Sequence, residues 1–439
     1  MKFIRPKEYA LVIEPVADYV STLAALSFAA LRTEPTTITN VERTELLAAF
    51  EPFLNSGGIE LTWDGNSVTA VPRTSMPFTY LTKLPDYELF RYALTLAATR
   101  AGSRLAVIDD FDETLQNLVL AFRRMGAELE FTGGKEPQVV VRHALAKEVK
   151  YYLKRESAKL VPQLVLAMTA QGGHSEINDL FESSRLDYFF EQFVSEFARA
   201  DLTTVEAADE LERRLQKRAP RVLEFRSRVT IAGGVRTGAA QISLRPDAEF
   251  AAYLAAAVVN HGRGRLILRS VRADDITATP LSQLKRMGVE VASERGPEGP
   301  SLVVTRSQVK SRSVHYDQMH EFPDAIGAIA LANARADGTA VIRSSPFNTD
   351  REEARRRSVS NLIRAFGVKV AEISDGVVLE GRSEIGADNV TTGDDPVCAL
   401  MAAAAALGTV SAIEVDRVDA ARARWGTNFQ KLLDLLSGA

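Results

Sequence analysis

Cysteine is almost absent from this sequence, since Cys398 is the only one among 439 residues. A single thiol cannot form an intrachain disulfide, and it cannot supply a cysteine-based zinc cluster. Such a composition is typical of proteins of the reducing cytoplasm, where we expect this protein to be located.

Long hydrophobic runs and an excess of positive charge are also lacking. The most apolar stretch, 398–407, is about half as long as the ~20 residues that cross a bilayer, and residues 1–8 have no signal-peptide core. Lys and Arg number 53 against 57 for Asp and Glu, which gives a net charge of −4. The sequence therefore predicts a soluble protein that binds neither nucleic acid nor membranes, and it leaves the oligomeric state open.

What the chain does have is a recurring pattern with a period of about 60–70 residues. Each copy has an alanine-rich apolar helix, a β-branched strand, an amphipathic helix and a strand that begins with glycine. The first copy places them at 21–31, 36–41, 43–54 and 57–63. Six copies can be recognised, of which the third is distorted and the sixth is short.

This pattern predicts an α/β fold of six βαβαββ-type units in two lobes, with a cleft between them. The apolar helix of each unit should be buried on all sides, and the amphipathic helix should lie outside. The first lobe is predicted over 15–235 and the second over 1–14 plus 236–439, with the crossing near Gly233-Gly234. Thr203-x-x-Glu206 is a capping-box signature, which predicts a charged helical insertion over about 203–218.

Three segments in the second half of the chain form the most specific local pattern. They are Phe322-Pro323-Asp324-Ala325, Ala336-Asp337-Gly338-Thr339 and Arg351-Glu352-Glu353-Ala354-Arg355. In these segments the chain resembles the enolpyruvyl transferases, and among them the 5-enolpyruvylshikimate-3-phosphate (EPSP) synthases. The resemblance covers nearly the whole chain and implies that each lobe is the arrangement called an inside-out α/β barrel.

Shorter matches to the same family occur elsewhere in the chain, in the same order as in the family. They are Ser157-Ala158-Lys159, Ser184-Arg185, Asp394-Asp395-Pro396 and Arg424-Trp425-Gly426-Thr427-Asn428-Phe429. The resemblance implies transfer of the carboxyvinyl group of phosphoenolpyruvate to a hydroxyl. Such a reaction needs cationic side chains for the substrate anions and acid–base groups for two proton transfers.

The resemblance implies that Asp324 and Glu352 are the catalytic acid–base residues. Each has a structural alternative, because Asp is a good helix N-cap and Glu is favoured at helix N-termini. The substrate-binding residues implied in the same way are Arg351, Arg355, Arg424, Arg91, Lys159, Ser184 and Arg185. The arginines of 355–357 could instead form a solvated face.

The anion-binding positions of the family are altered in this chain. Where the family has a lysine in its first loop, this chain has Asp18, and where the family has a glycine in its next motif, this chain has Tyr87. A later arginine of the family falls near Asp110, and a His-Arg pair of the family is replaced by Asp395-Pro396. At an effective dielectric constant near 20, a like-charge contact at about 4 Å costs about 4 kcal/mol. Tight binding of a substrate with several phosphates is therefore not expected.

Three hypotheses remain open. The first is a diverged enzyme that performs carboxyvinyl transfer or related acid–base chemistry on a less phosphorylated small molecule, in a specialised pathway; phosphoenolpyruvate is a candidate ligand. The second is a non-catalytic binding or scaffold protein with the same fold, and the third is ordinary 3-phosphoshikimate 1-carboxyvinyltransferase activity. No cofactor is predicted, and no metal, because the spacing of His315 and His320 matches no known zinc site.

Overall fold

A computed structural model describes residues 1–109, 111–153, 160–181, 199–205, 226–234, 240–261, 263–271, 279–296, 299–305, 309–314, 322–343, 350–382 and 384–438. Its helices are α1 (Tyr19–Ala29), α2 (Glu45–Ser56), α3 (Tyr87–Ala98), α4 (Glu113–Arg124), α5 (Val161–Gln171), α6 (Ala248–His261), α7 (Thr279–Met287), α8 (Ile326–Ala334), α9 (Asp350–Ala365), α10 (Pro396–Ala406) and α11 (Asp419–Ser437).

The strands of the first half of the chain are β1 (Lys2–Phe3), β2 (Tyr9–Ile13), β3 (Thr36–Thr39), β4 (Ile59–Asp64), β5 (Ser67–Pro72), β6 (Thr79–Tyr80), β7 (Arg104–Ala106), β8 (Glu128–Thr132), β9 (Gln138–His143), β10 (Lys150–Tyr152), β11 (His174–Phe181) and β12 (Arg199–Val205). Those of the second half are β13 (Arg226–Ala232), β14 (Ala240–Ser243), β15 (Gly264–Arg269), β16 (Glu290–Gly296), β17 (Gly299–Thr305), β18 (Thr339–Arg343), β19 (Lys369–Ile373), β20 (Gly376–Glu380), β21 (Asn389–Val390) and β22 (Ile413–Val415).

The chain divides into two compact units, which we call the first lobe (Tyr19–Leu244) and the second lobe (Met1–Asp18 with Arg245–Ala439). The divisions fall after Asp18 and Leu244, whereas the sequence suggested divisions after residues 14 and 235. The second division lies beyond β14 because this strand pairs in parallel with β3 of the first lobe.

The first lobe contains three four-stranded sheets, ordered β14-β3-β5-β4, β6-β7-β9-β8 and β10-β11-β13-β12. Each sheet joins one parallel pair to two antiparallel pairs. Helices α1, α3 and α5 pack against one another. Every residue from Leu89 to Ala98 of α3 is buried, as expected for a helix that is apolar on all sides.

The second lobe also contains three sheets, ordered β16-β17-β15-β2, β18-β20-β19 and β1-β22-β21. Its central helices α6, α8 and α10 pack against one another. All residues of Ile326–Ala334 and Val397–Ala406 are buried. Because most of these side chains are alanines, the three helices can approach closely. The predicted repeated units and buried first helices are thus confirmed, and no sheet in the described ranges closes on itself.

One predicted helix start is wrong. Thr203–Val205 forms the end of β12 and pairs with Arg226–Arg228 of β13. The run Leu202-Thr203-Thr204-Val205 is rich in β-branched residues, and a neighbouring strand was available, so sheet pairing overrode the local capping signal. The rest of the predicted insertion lies outside the described residues. Within the described ranges, no helix has the length and apolar character that crossing a bilayer requires.

Candidate active site

Asp324 lies in the second lobe between two guanidinium groups. It belongs to a 3₁₀ turn, Pro323–Ala325, that leads into α8. One carboxylate oxygen accepts a hydrogen bond from Arg355, and the other accepts from Nη2 of Arg424 at 3.0 Å. Burial alone would raise the pKa of Asp324, but the two arginines outweigh it and hold that pKa well below its usual range. The carboxylate is therefore ionised and clamped.

Arg355, one turn into α9, is held by two carboxylates. Besides its contact with Asp324, its Nε donates to Oδ2 of Asp395 at 3.0 Å. Only 18% of its side chain is exposed. Burial would lower the pKa of Arg355, yet Asp324 and then Asp395 raise it above its ordinary value. Its charge is therefore permanent and fully compensated.

Asp395 is the N-cap of α10 as well as a partner of Arg355. Its Oδ1 accepts hydrogen bonds from the main-chain N–H groups of Val397 at 2.8 Å and Cys398 at 3.1 Å. Pro396 takes the first helical position, where a missing N–H is harmless. The carboxylate thus meets the positive end of a buried helix and a guanidinium at the same time.

Arg424 reaches Asp324 from α11, where the chain is kinked. Gly426 has φ 49° and ψ −127°, a conformation open mainly to glycine, and it interrupts the helix just after Trp425. The guanidinium of Arg424 packs over the Trp425 ring at 4.8 Å. Its Nε is buried and has no hydrogen-bond partner among the described residues. Of the two described guanidinium groups that contact Asp324, that of Arg424 thus has a single carboxylate partner among the described residues.

Asp247, at the start of α6, is buried beside these groups. Its Oδ1 accepts from the N–H of Phe250 at 2.9 Å, and its Oδ2 accepts from the indole Nε1 of Trp425 at 3.0 Å. Burial, and next the charge of Asp18, raise the pKa of Asp247. Asp18 thus contributes a negative charge where the resemblance implied a lysine.

Tyr253 of α6 fixes the backbone of the turn that carries Asp324. Its hydroxyl donates to the main-chain carbonyl of Asp324 at 2.7 Å, and burial raises the pKa of Tyr253 well above its usual value. The close approach depends on Gly327, because a Cβ there would lie 2.2 Å from the hydroxyl oxygen. Sequence reasoning did not identify Tyr253 or Asp247 as site residues. The signal available was their place at the head of an alanine-rich helix of the repeat.

In the first lobe, Arg91 is buried with its own partners. Nη1 contacts both oxygens of Glu88 at 2.8 and 3.0 Å, and Nη2 donates to Oε1 of Gln163 at 2.9 Å. Only 3% of the residue is exposed. Burial lowers the pKa of Arg91, and Glu88 then raises it past its ordinary value. The structure therefore places this predicted substrate-binding residue against groups of the same lobe.

Two tyrosines of the first lobe contact helix-capping carboxylates. The Tyr19 hydroxyl donates to Asp86, which caps α3 through the N–H groups of residues 88 and 89. The Tyr87 hydroxyl donates to Asp112, which caps α4. At both of these helix starts, an aspartate carboxylate accepts from main-chain N–H groups of the first turn, and a tyrosine hydroxyl donates to that carboxylate.

The other predicted site residues are described in part or not at all. Arg351 and Glu352 lie in the first turn of α9, but their side chains are outside the described residues, as are Lys159, Ser184 and Arg185. His315, His320 and Asp110 are outside them too. In the described ranges, no three His, Cys, Asp or Glu side chains are grouped so as to hold a metal ion.

Comparison with known proteins gives a consistent result. A sequence profile of the family described as EPSP synthase (3-phosphoshikimate 1-carboxyvinyltransferase) matches residues 209–432. A 3-phosphoshikimate 1-carboxyvinyltransferase of Bacillus subtilis (strain 168) is 24% identical over 317 residues, which are 71% of this chain and 68% of the relative. One from Streptococcus mutans is 27% identical over 214 residues, which are 48% of this chain and 50% of the relative.

Solved structures share the fold at low identity. An EPSP synthase from Acinetobacter baumannii aligns with a TM-score of 0.74 at 16% identity, covering 99% of this chain and 97% of its own. The enolpyruvyl transferase NikO from Streptomyces tendae aligns with a TM-score of 0.77 at 15% identity, covering 99% and 96%.

Proposed function

The chain belongs to the EPSP synthase family, and from that premise we propose that it transfers a carboxyvinyl group from phosphoenolpyruvate to a hydroxyl. We further propose that its acceptor carries less negative charge than 3-phosphoshikimate. The observation that carries this proposal is the clamp of Asp324 between Arg355 and Arg424. Carboxylate and guanidinium groups of this kind are what proton transfer and the binding of an anionic donor require.

Asp324 is the proposed general base for the acceptor hydroxyl. In the clamp its pKa is too low for efficient proton abstraction, since a general base works best with a pKa near the operating pH. A donor anion that takes hydrogen bonds from Arg424 would withdraw them from Asp324 and raise the pKa of that carboxylate. Donor binding would thereby prepare the base, so the clamp favours reaction only when the donor is present.

Glu352 is the proposed partner for the second proton transfer, in which the methylene carbon of the donor gains a proton. The acceptor oxygen adds to the neighbouring carbon, and loss of phosphate together with one proton of the new methyl group then restores the double bond. Arg351, Arg424, Lys159, Ser184 and Arg185 are the proposed binding groups. Arg355 is a further proposed binding group, which can contact a ligand only where it gives up hydrogen bonds to Asp324 or Asp395. Arg91 is omitted, because its two terminal nitrogens already contact Glu88 and Gln163.

The test is turnover with phosphoenolpyruvate and a panel of hydroxyl acceptors that includes 3-phosphoshikimate, followed by phosphate release and by mass spectrometry of the carboxyvinyl product. Asp324→Asn should lower kcat at least about 100-fold, the usual range for general acid–base groups. Asp337→Asn, at an exposed aspartate of the same lobe, is the matched control. Equal turnover of both variants on an accepted substrate would refute the role of Asp324.

A non-catalytic binding protein is the second candidate. It is favoured by the self-contained pairing of Arg91 and by the compensation of Arg355 with two carboxylates. This alternative predicts that a ligand raises the melting temperature although no acceptor releases phosphate from phosphoenolpyruvate. Product formation with any acceptor would exclude it, and efficient use of 3-phosphoshikimate would instead indicate ordinary synthase activity.

A further inference from the structure

Asp395 occupies a position that suits a bound anion. The start of α10 presents N–H groups and the positive end of a helix, and Arg355 adds a guanidinium beside them. Anions such as phosphate bind where these features coincide. Here the carboxylate of Asp395 accepts hydrogen bonds from both of these donors. One oxygen accepts from the N–H groups of Val397 and Cys398, and the other accepts from Arg355.

The same construction occurs at the head of another central helix in this lobe. Asp247 accepts from the N–H of Phe250 with one oxygen and from Trp425 with the other. In the first lobe, Asp86 caps α3 and accepts from Tyr19 in a comparable way. Carboxylates of the chain therefore close several helix starts that would otherwise present unpaired N–H groups.

The two arginines of the second-lobe site differ in what they can still bind. Arg355 contacts two carboxylates, Asp324 and Asp395, whereas Arg424 contacts Asp324 and keeps a buried Nε without a partner among the described residues. Asp247 and Glu249 add negative charge near Arg424. A ligand anion that binds to Arg355 through Nε, or to the start of α10, would have to displace Asp395.

We infer that Asp395 is an internal anion that sets the charge specificity of this site. It competes with a ligand anion for Arg355 and for the start of α10, and so lowers the affinity of the site for ligands that need these donors. The inference rests on the proposed function for the identity of the site as the substrate site. It adds the residue that weakens anion binding at Arg355 and at the start of α10.

The test is a gain of binding, with inorganic phosphate as the probe and isothermal titration calorimetry as the measurement. Asp395→Ser and Asp395→Asn both keep a good N-cap side chain and remove the charge. Each should bind phosphate at least about tenfold more tightly than the wild type, because Arg355 regains a charge-assisted hydrogen bond to offer. Asp394→Asn is the matched control, since Asp394 is exposed and contacts only Arg417 in the described residues.

A second readout locates the gain. Trp63 and Trp425 are the only tryptophans, and Trp63 lies in β4 of the first lobe, so a Trp63→Phe background leaves Trp425 as the sole reporter. Titration with phosphate should change the fluorescence of Trp425, and the dissociation constant from this titration should equal the one from calorimetry. The inference is overturned if neither Asp395 variant gains affinity, if Asp394→Asn gains as much, or if Trp425 does not respond. Because binding is read without turnover, failure of the proposed reaction leaves this result interpretable.

Discussion

The clamp of Asp324 should contribute measurably to the stability of the second lobe, and Asp324→Ala tests this. The substitution removes a carboxylate that accepts from Arg355 and Arg424, with 16% of the aspartate side chain exposed. Arg355 keeps Asp395 as a partner, but Arg424 loses its hydrogen-bonded carboxylate while its side chain remains largely buried. Two guanidinium groups are then left close together without the charge between them.

The expected loss follows from the cost of breaking buried ion pairs. Removing one partner of a buried pair costs about 3–5 kcal/mol, because the other charge stays behind uncompensated. Residual exposure of 14–18% for the two arginine side chains lets water compensate part of this loss, so we expect about 3 kcal/mol. Added phosphate should stabilise Asp324→Ala more than the wild type, since it can replace the missing anion.

The measurement is urea unfolding followed by Trp425 fluorescence in the Trp63→Phe background. Trp425 packs beneath Arg424, so its signal reports on the lobe that carries the clamp. Asp394→Ala is the control, because its contact with Arg417 is exposed and should contribute nothing measurable. A loss below about 1 kcal/mol for Asp324→Ala, or equal stabilisation of variant and wild type by phosphate, would refute the reasoning.

Two further predictions concern other buried polar groups of the second lobe. Tyr253→Phe removes the hydrogen bond to the Asp324 carbonyl and should lower kcat more than it raises KM in steady-state kinetics. The control is Tyr9→Phe, which should change neither constant, because the Tyr9 hydroxyl has no partner among the described residues. Equal effects of the two substitutions would contradict a positioning role for Tyr253. Burial lowers the pKa of His261, whose Nε2 contacts the Pro6 carbonyl at 2.7 Å. The unfolded chain then binds the proton more readily, so the free energy of unfolding should fall as pH drops below about 6.5. His261→Gln should flatten that slope in urea titrations between about pH 7 and 5; an unchanged slope would show that other groups cause it.

Sequence patterns predicted the repeated architecture because it depends on local composition. Alanine-rich stretches mark helices that are buried on every side, and amphipathic ones mark their outer partners. The resemblance of short motifs to those of the enolpyruvyl transferases implied that Asp324, Arg355 and Arg424 belong to one candidate site. The structure brings these three side chains into direct contact in the second lobe.

The contacts that tune this site could not be predicted, since they join segments far apart in sequence. Tyr253 and Asp324 are separated by 71 positions, and Asp247 and Trp425 by 178. Asp395 was recognisable as a change of charge, but its double contact with α10 and Arg355 depends on how two helices pack. The segment Thr203–Val205 shows the opposite failure, where a local capping signal lost to pairing between strands β12 and β13.

The passage of the chain through the second lobe has a consequence for biosynthesis. Lys2 of β1 pairs with Glu414 of β22, and β2 pairs with β15. On the ribosome, every segment of the first lobe emerges before either of these partners exists. The first lobe can therefore mature before β1 and β2 meet their partners, because β15 and β22 both follow Leu244 in the chain.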